Sequence, residues 1–122
     1  MTNKVAVVVG GSTGIGAASA SEFISRGWDV GITYYPEAAR DGLDSLISEA
    51  RQGNRKVSAT LADVRNEHNA RDAAAQVIAE YGRVDALTYS AGFTRPVPHD
   101  DLNAPTPTDF LDTTEVNTVG PF

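Results

Sequence analysis

The run Val5-Ala6-Val7-Val8-Val9-Gly10-Gly11-Ser12-Thr13-Gly14-Ile15-Gly16 constrains this chain more than any other stretch. A short apolar, β-branched run passes without a linker into a glycine-rich turn, and the turn passes into Ala17-Ala18-Ser19-Ala20, which reads as the first turns of a helix. A buried strand, a tight turn and a helix N-terminus in that order make a phosphate site. Backbone N–H groups gather at the positive end of the helix dipole, and missing side chains let a ligand approach the backbone. The spacing Gly10-x-x-x-Gly14-x-Gly16 differs from both G-x-G-x-x-G and G-x-x-x-x-G-K-[ST]. Only Thr13 stands near where a P-loop needs its lysine, which argues against triphosphate chemistry.

Strand-like and helix-like runs then alternate. The strand-like runs are Lys4–Val9, Asp29–Thr33, Lys56–Leu61 and Ala86–Ser90. Between them Ala17, Ala20 and Ile24 share one helical face, with Gly27 as a stop; Leu43, Leu46, Ile47 and Ala50 share a second, with Gly53 beyond. Ala70, Ala73, Ala74, Val77 and Tyr81 share a third, closed by Gly82. Three β–α–β units in series predict an α/β fold: an open, parallel sheet with right-handed crossovers and helices on both faces. The 122 residues suffice for one domain. The Pro-rich loop Phe93–Pro107 follows the fourth strand, and a last helix is expected from about Thr106 to Val116. A full doubly wound fold has six strands, so the predicted sheet is truncated and its fourth strand is left as an apolar edge.

Charge and composition remove other classes. A net charge of −6 with no basic cluster argues against nucleic acid. No apolar run is long enough to span a membrane, and Met1-Thr2-Asn3-Lys4 leads straight into a strand, so a cytoplasmic location is expected. With no cysteine there is neither disulfide nor thiolate metal site, and His68 and His99 lack partners at metal or triad spacing.

Four patches, in order and at matching distances, resemble the short-chain dehydrogenase/reductase family. Its T-G-x-x-x-G-x-G loop corresponds to Val9–Gly16; the Asp and apolar residue after strand three are Asp63-Val64; the N-N-A-G after strand four is Tyr89-Ser90-Ala91-Gly92; and V-N-x-x-G-x-F is Val116–Phe122. The resemblance covers the whole chain, and it implies an open, doubly wound sheet of Rossmann type with strand order 3-2-1-4, a single NAD(P)-binding unit over 1–122. It departs where Val9 replaces a threonine that ties turn to strand, and where Tyr89 and Ser90 replace two asparagines, whose hydrogen bonds must then come from elsewhere.

The resemblance implies a hydride transfer between a nicotinamide cofactor and a carbonyl or secondary alcohol, with a tyrosine as general acid/base and a lysine that lowers its pKa. Gly10, Gly14 and Gly16 would accept the pyrophosphate, with Ser12, Thr13 and Ile15 around the phosphates and adenosine. Asp63 would accept from the adenine amino group and Val64 would pack on the ring, while Ser90, Ala91 and Gly92 would bring backbone close to the ribose. The end of strand two, Thr33-Tyr34-Tyr35-Pro36-Glu37, lacks the acid an NAD enzyme places on the ribose 2′-OH. That favours NADP over NAD, with Tyr34, Tyr35 and Arg40 as candidate contacts. Asn117 would be the one catalytic residue present, on the same helix face as Phe110 at the floor of a cleft.

No Y-x-x-x-K occurs in these residues, and the family's catalytic serine also lies beyond them. The chain is therefore expected to supply the cofactor-binding part of an oxidoreductase and to be inactive alone. Two other readings compete: a non-catalytic nucleotide-binding or sensing module, and an interaction subunit that completes its sheet with another chain. Partners expected for the complete form are the dinucleotide, a small carbonyl or alcohol substrate, a missing C-terminal half and a second copy in a homo-oligomer.

Overall fold

The computed structural model describes residues 3–122. Its sheet has four parallel strands in the order β3-β2-β1-β4: β1 (Val5–Val9), β2 (Asp29–Tyr34), β3 (Val57–Leu61) and β4 (Ala86–Tyr89). Helices α1 (Gly14–Ser25), α2 (Leu43–Gln52) and α3 (Glu67–Tyr81) make the crossovers, and α4 (Pro107–Thr114) follows β4. This is the parallel α/β sheet that the alternation predicts, in the Rossmann-type order that the family resemblance implies.

Alternation along β2 explains how two helical layers share one strand. Val30, Ile32 and Tyr34 join Val8 of β1 in a core with Ala20 and Ile24 of α1 and Leu43, Leu46 and Ala50 of α2. Gly31 faces the other way, and there Val77 of α3 packs so tightly that a Cβ on Gly31 would stand 2.8 Å from its Cγ2. Every residue of β2 is buried. Val8, Val30 and Ile32 contribute on the order of 1.5–3 kcal/mol each through burial.

β1 and β3 start one residue later, and β4 ends one residue earlier, than expected, and structure and expectation differ in four other places. Helix α1 begins at Gly14 instead of Ala17, because backbone geometry rather than propensity starts it: Thr13 is the extended N-cap residue and the glycines form the first turn. The carboxyl end of β2 runs one residue further, to Tyr34, and turns through a 3-10 segment, Glu37–Gly42. On α3 only Ala73, Val77 and Tyr81 reach the sheet; Ala70 and Ala74, expected on the same face, are exposed. The last helix does begin at Thr106 as its N-cap, but at Glu115–Val119 it widens into a π-helical turn. A five-residue hydrogen-bond step there breaks the 3.6-residue register on which the shared face of Phe110 and Asn117 was argued. Strand β4 is the sheet edge, with Leu87 68% exposed.

Candidate functional site: a cavity at the carboxyl ends of the strands

Parallel strands end together, so residues after β1, β2, β3 and β4 meet at one edge, where ligands bind in open α/β sheets. There lies a cavity of about 550 Å³, within the range of ligand pockets. Its walls include the loop after β1, the end of β2, Asp63 and Val64 after β3, and Ser90 to Phe93 after β4.

The glycine loop is folded by β2. Gly10 and Gly11 N–H both donate to the Thr33 carbonyl at 3.0 Å, and Gly10 N–H also approaches the Thr33 hydroxyl at 3.3 Å. Thr33 thus does from the neighbouring strand what Val9 cannot do. Gly10 has φ +74°, and a Cβ there would stand 2.7 Å from Ala91 N, so the loop packs flat against the β4 end. Gly14, also at positive φ (+54°), has open space where its Cβ would be. Gly16 is buried and takes no part in the cavity wall; a Cβ on it would run into the Gly10 carbonyl oxygen. Ser12 is buried beneath the loop, while Ile15 is 80% exposed at the cavity rim.

The N-terminus of α1 is left open. Thr13 has the extended backbone of an N-cap but its side chain makes no capping bond, and the first turn carries no acid. The first N–H groups of a helix have no intrahelical acceptor, and together with the dipole they favour an anion. Open space at Gly14, an uncapped helix end and an apolar rim fit a pyrophosphate-bearing ligand.

The ends of β2 and β3 form the far wall of the cavity. Tyr34 is 5% exposed and its side chain belongs to the core, with its hydroxyl accepting from Arg40 Nη1 at 3.3 Å. Arg40 stands outside the cavity wall, 3.8 Å from Glu37. Tyr35 is 52% exposed and does line the cavity. Asp63 closes the far side, but its carboxylate is held by Arg65: Nε donates to both oxygens at 3.0 and 3.2 Å and Nη2 donates to Oδ2 at 2.8 Å. These bonds hold the Asp63 carboxyl below the usual carboxylate range and the Arg65 guanidinium above its own. The Arg65 guanidinium carbon also sits 5.9 Å from the Tyr35 ring centroid. Sequence reasoning missed Arg65; its place two residues after Asp63 was the available signal.

At the β4 end, Ser90 N–H donates to Val9 O at 2.8 Å and Tyr89 hydroxyl donates to Val116 O at 3.2 Å. The Ser90 bond is an ordinary backbone bond from β4 to β1, and the Tyr89 hydroxyl is the side chain that ties β4 to the last helix where the family pattern has an asparagine. Val64 and Gly120 approach each other across the cavity end of the π turn. Asn117 stands outside the cavity wall and is exposed, and its side-chain amide grips the loop: Phe93 N–H donates to Oδ1 and Nδ2 donates to Phe93 O, both at 2.8 Å. Of the expected residues, the cavity gathers Gly10, Ser12, Thr13, Gly14, Ile15, Tyr34, Tyr35, Asp63, Val64, Ser90, Ala91 and Gly92; Gly16, Arg40 and Asn117 stand outside its wall. Asp112 and Val116 of the last helix complete a wall that motif reading did not reach. His68 and His99 are both exposed, and among the described residues no group of three or more His, Cys, Asp or Glu side chains is placed to hold a metal. Nor is any helix among them long and apolar enough to cross a membrane.

The short chain dehydrogenase family model matches residues 4–122. The short-chain dehydrogenase/reductase homolog YusS of Bacillus subtilis is 33% identical over 104 residues, covering 85% of this chain and 94% of YusS. D-threitol dehydrogenase of Mycolicibacterium smegmatis is 32% identical over 122 residues, all of this chain but 45% of that enzyme. Among solved structures, a blue fluorescent protein from a metagenomic library, in complex with NADPH, superposes with a TM-score of 0.86 at 33% identity, over 99% of this chain and 48% of that one. The chain thus spans about half the length of most of these relatives and nearly all of one. With the glycine loop, the strand order and the family match in agreement, the chain belongs to the short-chain dehydrogenase/reductase family.

Proposed function

We propose that residues 1–122 form a single dinucleotide-binding unit, the cofactor half of an NAD(P)-dependent short-chain oxidoreductase acting on a carbonyl or secondary alcohol. The observation that carries this is the uncapped α1 N-terminus opening onto a cavity walled by the ends of all the strands. A relative of this fold in complex with NADPH supports the cofactor class.

When bound, the nicotinamide supplies the hydride chemistry. The residues of this chain bind and orient. Backbone N–H groups at the open start of α1, from Gly14 and Ile15, receive the pyrophosphate, with the Ser12 and Thr13 hydroxyls beside it. Asp63 and Val64 take the adenine, and Ser90, Ala91 and Gly92 let the ribose lie close to the backbone. Asn117 fixes the loop at Phe93, so its first role is to hold the β4 end in shape for the reacting part of the cofactor. By family resemblance it is also the proton-relay residue, serving a tyrosine–lysine pair that these 122 residues do not contain.

A calorimetric titration of the 122-residue chain with NADPH and then NADH tests the reading. Saturable binding of either supports it, and no binding of either overturns it. Turnover of NADPH by this chain with any carbonyl compound would overturn the view that the chemistry needs further residues.

A further inference from the structure

The cavity holds a cation that the motifs do not explain. We propose that Arg65, clamped by Asp63 and lying over Tyr35, reads the ribose 2′-position and makes the site favour a 2′-phosphate. The inference rests on the dinucleotide reading above and goes beyond it by naming the discriminating residue.

In folds of this type the ribose 2′-group lies at the carboxyl end of the second strand, where an acid selects the hydroxyl and a nearby arginine accommodates the phosphate. Here that end is Tyr34-Tyr35, and two arginines approach it. Arg40 is the nearer in sequence. It sits outside the cavity, its Nη1 on the Tyr34 hydroxyl and beside Glu37. Glu37 and Asp41, the acids that follow β2, likewise stay out of the cavity wall. Arg65 is part of that wall and reaches from the β3 end across to Tyr35.

The clamp decides how Arg65 is presented. Two of its nitrogens, Nε and Nη2, are engaged by the Asp63 carboxylate, which fixes the guanidinium plane before any ligand arrives. Pre-ordering a long side chain removes much of the entropy cost of recruiting it on binding. Nη1 is the nitrogen Asp63 does not engage, and a guanidinium has five N–H donors in a planar fork that suits an oxyanion. The pair is neutral overall, so the 2′-hydroxyl gains little from it, whereas a phosphate dianion extends it into a carboxylate–guanidinium–phosphate chain. The half-exposed Tyr35 ring backs the guanidinium from the β2 side.

Calorimetry on the 122-residue chain with four probes provides the test: NADPH, NADH, 2′,5′-ADP and 5′-AMP. For R65Q the expected result is about a tenfold weaker Kd for NADPH and 2′,5′-ADP, with less than about a twofold change for NADH and 5′-AMP. R40Q leaves all four unchanged, and R65K keeps part of the preference because charge survives while the fork is lost. Thermal melts establish that each variant is folded. An equal loss for all four probes in R65Q would make Arg65 a mere support for Asp63 and overturn the proposal. So would loss of the preference in R40Q instead. If the unsubstituted chain binds neither dinucleotide, the cofactor reading falls and takes this one with it; if it binds both and R65Q leaves their ratio unaltered, this one falls alone.

Discussion

Helices α1 and α4 both start after an extended threonine, and the two threonines do opposite things. Thr106 accepts from Asp109 N–H through its hydroxyl at 3.2 Å, Asp109 accepts from Thr106 N–H at 2.8 Å, and Pro107 takes the first position, where no donor is needed. α3 is closed in a similar way by Asn66, which accepts from Asn69 N–H at 3.2 Å. Thr13 has a matching extended backbone, φ −140° and ψ 160°, yet makes no such bond, and no acid follows it. A side-chain cap stabilises a helix by about 1 kcal/mol. Forgoing it at a helix end that faces the cavity leaves the donors for a ligand. α2 also starts without a side-chain cap, at Gly42, but there the 3-10 segment Glu37–Gly42 runs straight into the helix. Capping chemistry and the cavity together thus separate the start of α1 from those of α3 and α4.

The largest break in this comparison comes from the loop that aims α1. G10A puts a Cβ 2.7 Å from Ala91 N at a φ of +74°, and a loss of roughly 2–4 kcal/mol of folding stability is expected by denaturant titration. G14A, with open space and only the backbone strain, should cost about 1 kcal/mol. If the two variants melt alike, the Gly10–Ala91 contact does not shape the loop.

T13D sharpens the comparison by giving α1 the cap it lacks. The carboxylate should raise stability by about 0.5–1 kcal/mol and weaken dinucleotide binding by about 100-fold, as an anion then occupies the donors and repels the pyrophosphate. A more stable T13D that still binds would show that the ligand does not use this helix end.

T106A makes the converse change. Losing the α4 cap should cost about 1 kcal/mol and leave the nucleotide Kd within about twofold. The smallest effect is that of pH on the same cap. The Arg95 guanidinium, with the Thr106 N–H and hydroxyl, holds the Asp109 carboxyl down to about 2 from an ordinary 3.8. A depressed folded-state pKa means its contribution is present above the unfolded value and is lost as pH falls from about 3.8 toward 2. Melting temperatures across that window should fall less in D109N than in the unsubstituted chain, and parallel curves would remove Asp109 from the account.

Much of this was legible in the chain. Alternating apolar runs mark the strands because buried parallel strands need near-continuous β-branched residues, and the α1 and α2 stripes mark the face of the core they bury. The glycine spacing marks the turn because few other residues tolerate its dihedrals and close approaches. What misled were inferences that treated neighbours in sequence as neighbours in space. Ala70 and Ala74 lie on the predicted stripe of α3, but only its narrower centre meets the sheet. Arg40 follows β2 closely, yet the 3-10 turn carries it out of the cavity. Asn117 fits the shared-face rule only until the π turn shifts its register.

Local pattern was enough to specify a parallel α/β sheet, the edge at which a ligand site must form, and the turn that faces it. Those features follow from burial periodicity, handed crossovers and glycine dihedrals, all written in short stretches of chain. Tertiary structure alone decided that Thr33 stands in for a missing loop hydroxyl, that Asn117 grips Phe93, and that Arg65 instead of Arg40 reaches Tyr35. Each of those is a contact between separate elements, and its geometry exists only once the strands have paired and brought their ends together.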